Sequence, residues 1–216
     1  MKPPPITACL GLDQASRSGW GIGRLEGGRP TVLHHGVATN HVERRGVVEL
    51  ALRVAGDPRQ LLVMFEDHSA MPLSRLTRYD RQSRRQGRQG APERSTASIL
   101  GQGAAKGRWD ELLDMLGHPD RLRDEVEPRT WRARVLGTTR GDTEALKALA
   151  KTWASSYLGE RIDDPDEAEG CGVCAFALLD GVARLEARRQ KARLYARGRR
   201  EERRQLELVR VEGRLR

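Results

Sequence analysis

The sequence is poor in aromatic residues, cysteine and lysine, and it has no long apolar segment. Aromatic residues make up only 4% of the 216 residues, so any core must rest on aliphatic side chains. Three cysteines form no disulfide framework, which favours a reducing compartment. No apolar run approaches the ~20 residues of a membrane span, and the first residues lack the apolar stretch of a secretory signal. We therefore expect a soluble cytoplasmic protein with no membrane partner.

Positive charge, by contrast, is in clear excess. The formal net charge is +9 and the sequence pI is about 10.2. Arginine carries most of this charge, because the chain has only five lysines. An excess of this size predicts a polyanionic partner, either nucleic acid or an anionic membrane surface. The length suits one mid-sized domain with a core and an appendage.

The first third of the chain has the pattern of strands followed by a helix and a further strand. Short apolar runs separated by turn residues predict a meander of three strands, near residues 6–12, 19–23 and 31–37. Apolar positions then recur with a helical period over residues 43–55. Five consecutive apolar residues, Leu61–Phe65, predict a strand buried on both faces, in an orientation parallel to the first strand.

The rest of the chain is mainly helical in pattern. Helices are predicted at residues 95–116 and 143–157, the second after the N-cap residue Asp142, with a short strand at 124–126 between them. A last helix begins at residues 163–166, where proline and acidic residues suit the positive end of the helix dipole. The order of elements predicts an α/β fold over residues 1–181.

Two segments are distinctly basic. Residues 72–95 contain no lysine and predict a mobile basic loop or a frayed helix, with strongly salt-dependent phosphate contacts to DNA. The arginines of this loop are Arg75, Arg78, Arg81, Arg84, Arg85, Arg88 and Arg94. Residues 182–216 are rich in arginine and glutamate and predict a basic helical extension outside the main domain.

Acidic residues occupy the ends of two predicted strands and one face of the last helix. Asp13 follows the first strand, Glu66 ends the buried strand, and Asp166 and Glu169 lie three residues apart on the helix. Carboxylates that share a site repel one another and resist desolvation, and a divalent cation with hard oxygen ligands relieves that conflict. Two such ions ~4 Å apart can promote phosphodiester hydrolysis. Asp67 remains the alternative to Glu66, and Asp13 alone could equally cap a turn.

Five segments, in order, resemble those of RuvC-like Holliday junction resolvases over roughly residues 6–180. They are an opening strand–turn–strand, a second acidic strand end, the start of the helix after a mobile loop, a proline–tryptophan–glycine pattern and an acidic pair. In this chain they read Leu10–Gly21, Val63–Glu66, Leu100–Ala104, Val126–Gly137 and Asp166–Gly170.

The resemblance implies an RNase H-like mixed five-stranded sheet flanked by helices. It also implies a Mg²⁺- or Mn²⁺-dependent endodeoxyribonuclease with two ions per active site, acting in DNA recombination and repair. A homodimer would make paired nicks in four-way DNA junctions, in a bacterial cytoplasm or a phage-infected host. By matching position, the catalytic metal ligands would be Asp13, Glu66, Asp166 and Glu169. The family usually has aspartate at the last position, and Glu169 is longer by one methylene.

Further predictions concern basic, aromatic and cysteine residues near the end of the domain. Arg129, Arg132 and Arg134 are interpreted as following the DNA backbone, with one of them near the scissile phosphate. Trp131 is predicted to be a core anchor. The Cys171–Cys174 pair has the CxxC spacing but lacks a second pair for zinc, so both cysteines are predicted to be small core residues.

Three other functions are alternatives to a junction resolvase. An RNA or flap nuclease would use the same scaffold, since scaffold does not fix substrate. An actin-like nucleotide-binding domain would need a second glycine-rich phosphate loop, which the sequence lacks. A non-catalytic basic nucleic-acid-binding protein would keep its function without Asp13 or Glu66.

Overall fold

The structure is a computed structural model that describes residues 4–15, 17–67 and 96–188, with isolated positions as far as 199; over 96–103 it describes the backbone alone. The strands are β1 (Ala8–Asp13), β2 (Ser18–Glu26), β3 (Arg29–Ala38), β4 (Leu61–Glu66) and β5 (Arg123–Val126). The helices are α1 (His41–Ala55), α2 (Thr96–Met115), α3 (Pro128–Val135), α4 (Thr143–Leu158) and α5 (Pro165–Phe176). Short 3₁₀ turns lie at Pro58–Gln60 and Asp120–Leu122.

The five strands form one mixed sheet in the order β3-β2-β1-β4-β5. β1 and β2 pair antiparallel, as do β2 and β3, whereas β4 runs parallel to both β1 and β5. The predicted meander and the predicted parallel pairing of the buried strand are therefore correct. Since β1, β4 and β5 are parallel, their carboxyl ends meet at one edge of the sheet.

The two faces of the sheet are covered by different helices. Leu10 and Leu12 of β1 belong to an aliphatic core shared with α1 and with Trp109 of α2. Because side chains alternate along a strand, the intervening residues face the other side. There Gly11 lies directly beneath the backbone of α5 at Cys174. The carboxyl-terminal residues Asp13 and Glu66 share this α5 face by the same alternation.

Helix α5 lies unusually close to the sheet because glycines line the contact. A Cβ atom on Gly19 of β2 would overlap the carbonyl oxygen of Asp166, and one on Gly170 of α5 would overlap the backbone of Gly19 and Trp20. The absence of side chains at these two positions lets backbone rest on backbone. This packing fixes how far the first turn of α5 stands above the ends of the strands.

The structure adds two features that the sequence pattern did not predict. Residues 128–135 form the helix α3, and α5 passes at Ala177–Gly181 into a π-helical segment before α-helix resumes at 182–188. The described residues divide into two compact units after Gly181. No helix in the described part of the chain has the length and apolar character needed to cross a membrane.

Candidate active site

Asp13 and Glu66 lie side by side at the carboxyl edge of the sheet. Leu12 pairs with Phe65 in the parallel ladder, so the next residue on each strand stands at the same level. The side chains are nearly closed to solvent, because Asp13 is 5% exposed and Glu66 is fully buried. Buried carboxylates need compensation by hydrogen bonds or positive charge, which the surrounding helices supply.

The first two turns of α5 add two more acids. The side chain of Asp164 caps the helix by accepting hydrogen bonds from the amides of Asp166 (2.9 Å) and Glu167 (3.3 Å). This cap orients the turn that presents Asp166 and, one turn later, Glu169. Carboxylate oxygens of Asp13, Asp166 and Glu169 all lie within 4.8 Å of one another. Three of the four predicted acids therefore form one cluster, which we call the acid triad.

Glu66 lies beside the acid triad in surroundings of its own. Its Oε1 accepts a 2.8 Å hydrogen bond from the indole Nε1 of Trp131, on α3. Its backbone carbonyl accepts a 2.9 Å bond from the side chain of Gln14, in the turn after β1. Glu66, and not the neighbouring Asp67, is thus the acid held at the end of β4. Trp131 is a core anchor, as predicted, and it also positions this carboxylate.

Arg132 connects Glu66 to the acid triad. Its Nη2 lies 2.5 Å from Oε1 of Glu169 and 3.6 Å from Oε1 of Glu66. The side chain is only 17% exposed, and its guanidinium carbon lies 5.3 Å from the centre of the Trp131 ring. In this conformation Arg132 is therefore part of the acidic centre.

Two more basic residues flank the exposed side of the acid triad. Lys147 of α4 places Nζ 3.5 Å from Oδ1 of Asp166, and Arg17 places Nε 3.3 Å from Oδ2 of the same carboxylate. Arg17 also pairs with Asp164. Arg17 and Lys147 were not predicted from the sequence, because only the fold brings the β1–β2 turn and α4 to the start of α5.

The electrostatics of the centre are dominated by crowded negative charge. Burial, followed by the charge of Glu66, raises the pKa of Glu169, and Arg132 and Lys147 oppose that rise only in part. The carboxylate form of Glu169 is therefore disfavoured as the site stands. A cation among these groups would relieve both desolvation and repulsion, and hard oxygen donors suit Mg²⁺ or Mn²⁺. The acid triad accordingly fits a divalent metal ion.

The remaining predicted residues lie outside this centre. Arg129 and Arg134 are exposed on α3, and Arg134 pairs with Asp180 at 3.0 Å. Cys171 and Cys174 are buried core residues, as predicted. The loop arginines predicted to bind DNA, at positions 75, 78, 81, 84, 85 and 88, lie outside the described residues.

Comparisons with known proteins give a structural likeness without a sequence match. No protein-family model and no curated protein matches the chain. A structure of T. thermophilus RuvC in complex with a Holliday junction substrate superposes with a TM-score of 0.56 at 13% identity, covering 83% of this chain and 97% of that one. A second Thermus thermophilus RuvC structure gives 0.51 at 14% identity, covering 85% and 97%.

This likeness extends over nearly the whole of the RuvC chains. The protein therefore has the RNase H-like fold of RuvC, a mixed five-stranded sheet flanked by helices. The predicted resemblance to RuvC is confirmed at the level of the fold. The acids predicted from the sequence stand at the carboxyl edge of that sheet and on the helix above it.

Proposed function

We propose that this protein is a divalent-metal-dependent endonuclease that cuts four-way DNA junctions by paired nicks. The observation that carries the proposal is the acid triad of Asp13, Asp166 and Glu169, with oxygens within 4.8 Å of one another at the carboxyl edge of an RNase H-like sheet. The fold is shared with a RuvC described in complex with a Holliday junction substrate, which supports branched DNA as the partner.

The acid triad would hold Mg²⁺ or Mn²⁺, and Glu66 is the fourth carboxylate that the predicted second ion would require. Bound divalent ions supply Lewis-acid stabilisation of charge on phosphate oxygens and favour deprotonation of an attacking water. The protein's own contribution is positioning. Trp131 fixes the carboxylate of Glu66, and the cap by Asp164 fixes the turn that carries Asp166.

The basic residues of the site give it a means of binding a phosphodiester. Lys147 and Arg17 lie at the exposed side of Asp166, with side chains 31% and 53% exposed. Their ammonium and guanidinium groups can exchange a carboxylate partner for a phosphate oxygen. Arg129 and Arg134 would extend this contact along the sugar-phosphate backbone of the DNA.

The basic segment at residues 72–95 would bind the rest of the DNA junction through its arginines. The same proposal includes the homodimer, because paired nicks on opposed strands require two active sites. A net charge of +9 supports a polyanionic partner of extended size.

Cleavage of a synthetic four-way junction with Mg²⁺ or Mn²⁺ tests the proposal. Asp13→Asn and Glu66→Gln are expected to bind the junction and to cut it about a hundredfold more slowly or worse. Asp163→Asn is the matched control, because Asp163 is an exposed acid near the site that pairs only with Arg161 among the contacts described. The control is expected to cut like the wild type.

The substrates run in parallel separate the rival functions. If the wild type binds junctions but cuts nothing with either metal, a non-catalytic nucleic-acid-binding protein is the better account. If flaps or RNA–DNA hybrids are cut faster than junctions, the enzyme is a nuclease of a different specificity on the same scaffold.

A further inference from the structure

Arg132 lies between Glu66 and the acid triad. One nitrogen of its guanidinium lies 2.5 Å from Oε1 of Glu169 and 3.6 Å from Oε1 of Glu66. A guanidinium is always charged and is fixed by its planar geometry, so the contact places a permanent positive charge between these carboxylates.

Several features hold this side chain in place. Helix α3 begins at Pro128, and the neighbouring Trp131 is fully buried and bonded to Glu66. The guanidinium lies near the face of the same indole ring. Arg132 is also less exposed than Lys147 or Arg17, the other basic side chains that pair with the acids in the described residues.

The four carboxylates are consequently not equivalent towards a metal ion. Asp13 and Asp166 share a cluster with Glu169, so the acid triad offers one ion three carboxylates. An ion between Glu66 and Glu169 would compete with Arg132 for the Oε1 atoms of both. Two cations in such a buried space repel each other strongly, because solvent screens them poorly.

We propose that Arg132 holds the position of a second ion, so that the site binds one divalent ion through the acid triad and accepts another only when Arg132 leaves Glu66 and Glu169. This inference rests on the proposed metal-dependent function and deepens it, since it assigns unequal affinities to the ions predicted from the sequence. Arg132 acts here through Glu66 and Glu169 and is a positioning residue.

Titration of the whole protein with Mn²⁺ alone, followed by the electron paramagnetic resonance signal of free Mn²⁺, counts the bound ions and their affinities. The wild type is expected to bind one ion at least about tenfold more tightly than any second. Arg132→Gln removes the charge while keeping a polar side chain. It is expected to bind two ions with affinities within about threefold of each other, because the competing cation is gone.

Two controls distinguish the loss of positive charge at position 132 from the loss of positive charge elsewhere on the same helix. Arg134→Gln removes an arginine of the same helix that pairs with Asp180, and it is expected to titrate like the wild type. Arg132→Lys keeps the charge and is expected to retain the unequal pattern. Circular dichroism confirms that each variant is folded before it is titrated.

Two equally tight ions in the wild type would overturn the inference, as would an unchanged pattern in a folded Arg132→Gln. If Arg132→Gln does not fold, the number and relative affinities of Mn²⁺ ions bound by the wild type still test the inference. Two equal ions in a protein that cuts junctions would overturn the inference alone. Unequal binding in a protein that cuts no substrate would overturn the proposed nuclease function alone.

Discussion

Asp13 and Glu66 end adjacent parallel strands at the same level, yet they have different neighbours. Asp13 shares a cluster with two acids of α5, whereas Glu66 is held by the indole of Trp131 and lies near Arg132, both on α3. The strands bring both carboxylates to one edge of the sheet. The helices packed above them decide that Asp13 joins the acid triad and that Glu66 is held by a hydrogen bond and lies near a cation.

The largest effect on stability is expected for α5, the helix that brings Asp166 and Glu169 to Asp13. Gly170→Ala is expected to destabilise the protein by about 3 kcal/mol, because the added Cβ meets the backbone of β2, which cannot repack as a flexible side chain would. Gly46→Ala is the matched control on α1, where a Cβ meets nothing within 4 Å. It is expected to stabilise the protein by about 1 kcal/mol, the difference in helix propensity.

Urea unfolding of both variants measures this difference. Equal effects of the two substitutions would show that the contact between α5 and β2 tolerates a side chain. The glycine would then not be the reason that α5 stands so close to the strand ends.

A smaller effect on stability is expected when the hydrogen bond between Trp131 and Glu66 is removed. Trp131→Phe keeps an aromatic ring in the core but removes the N–H group that bonds to the buried carboxylate. The cost is expected to be about 1–3 kcal/mol of stability, with cleavage slowed by roughly 10- to 100-fold, as is typical when a supporting partner of a site is lost. Thermal unfolding and junction cleavage provide the two readouts.

Trp153→Phe is the control for this substitution. Trp153 lies on α4 and stacks on Tyr157 with ring centres 4.9 Å apart. Its replacement is expected to change stability by less than about 0.5 kcal/mol. A similar loss of activity in both variants would mean that the indole bond does not position Glu66.

The smallest effect is a pH dependence of stability in metal-free protein. Because the pKa of Glu169 is raised, its stabilising contribution is complete below the ordinary value of 4.5 and is lost as the pH rises through the raised pKa. Glu169→Gln mimics the protonated form, so with chelator present its melting temperature is expected to exceed that of the wild type at neutral to alkaline pH. The difference should shrink on acidification below 4.5.

Glu43 on α1 provides a control of opposite sign. Hydrogen bonds from the backbone and side chain of Thr39 lower its pKa, so Glu43→Gln is expected to lower stability above its ordinary carboxyl pKa and to have less effect in acid. Melting curves across this pH range test both substitutions. A Glu169→Gln variant that is less stable than the wild type at every pH would contradict the crowding of negative charge in the centre.

Much of the fold follows from local patterns in the sequence. The run Leu61–Phe65 predicted a buried strand, and Asp142 predicted the start of α4, because apolar periodicity and capping act over a few residues. Helix α3 was missed because Pro128–Val135 is short and its arginines obscure an apolar face. This helix matters for the site, because it supplies both Trp131 and Arg132.

The sequence by itself determined the strands, the strand ends that carry Asp13 and Glu66, and the acidic helix that carries Asp166 and Glu169. These depend on residue spacing and on turn and cap chemistry, which are local. Only the tertiary structure decided that three acids cluster, that Glu66 bonds to Trp131, and that Arg132 stands between them. Those arrangements join residues more than 30 positions apart, and they depend on how closely α5 can approach β2 and on where α3 docks.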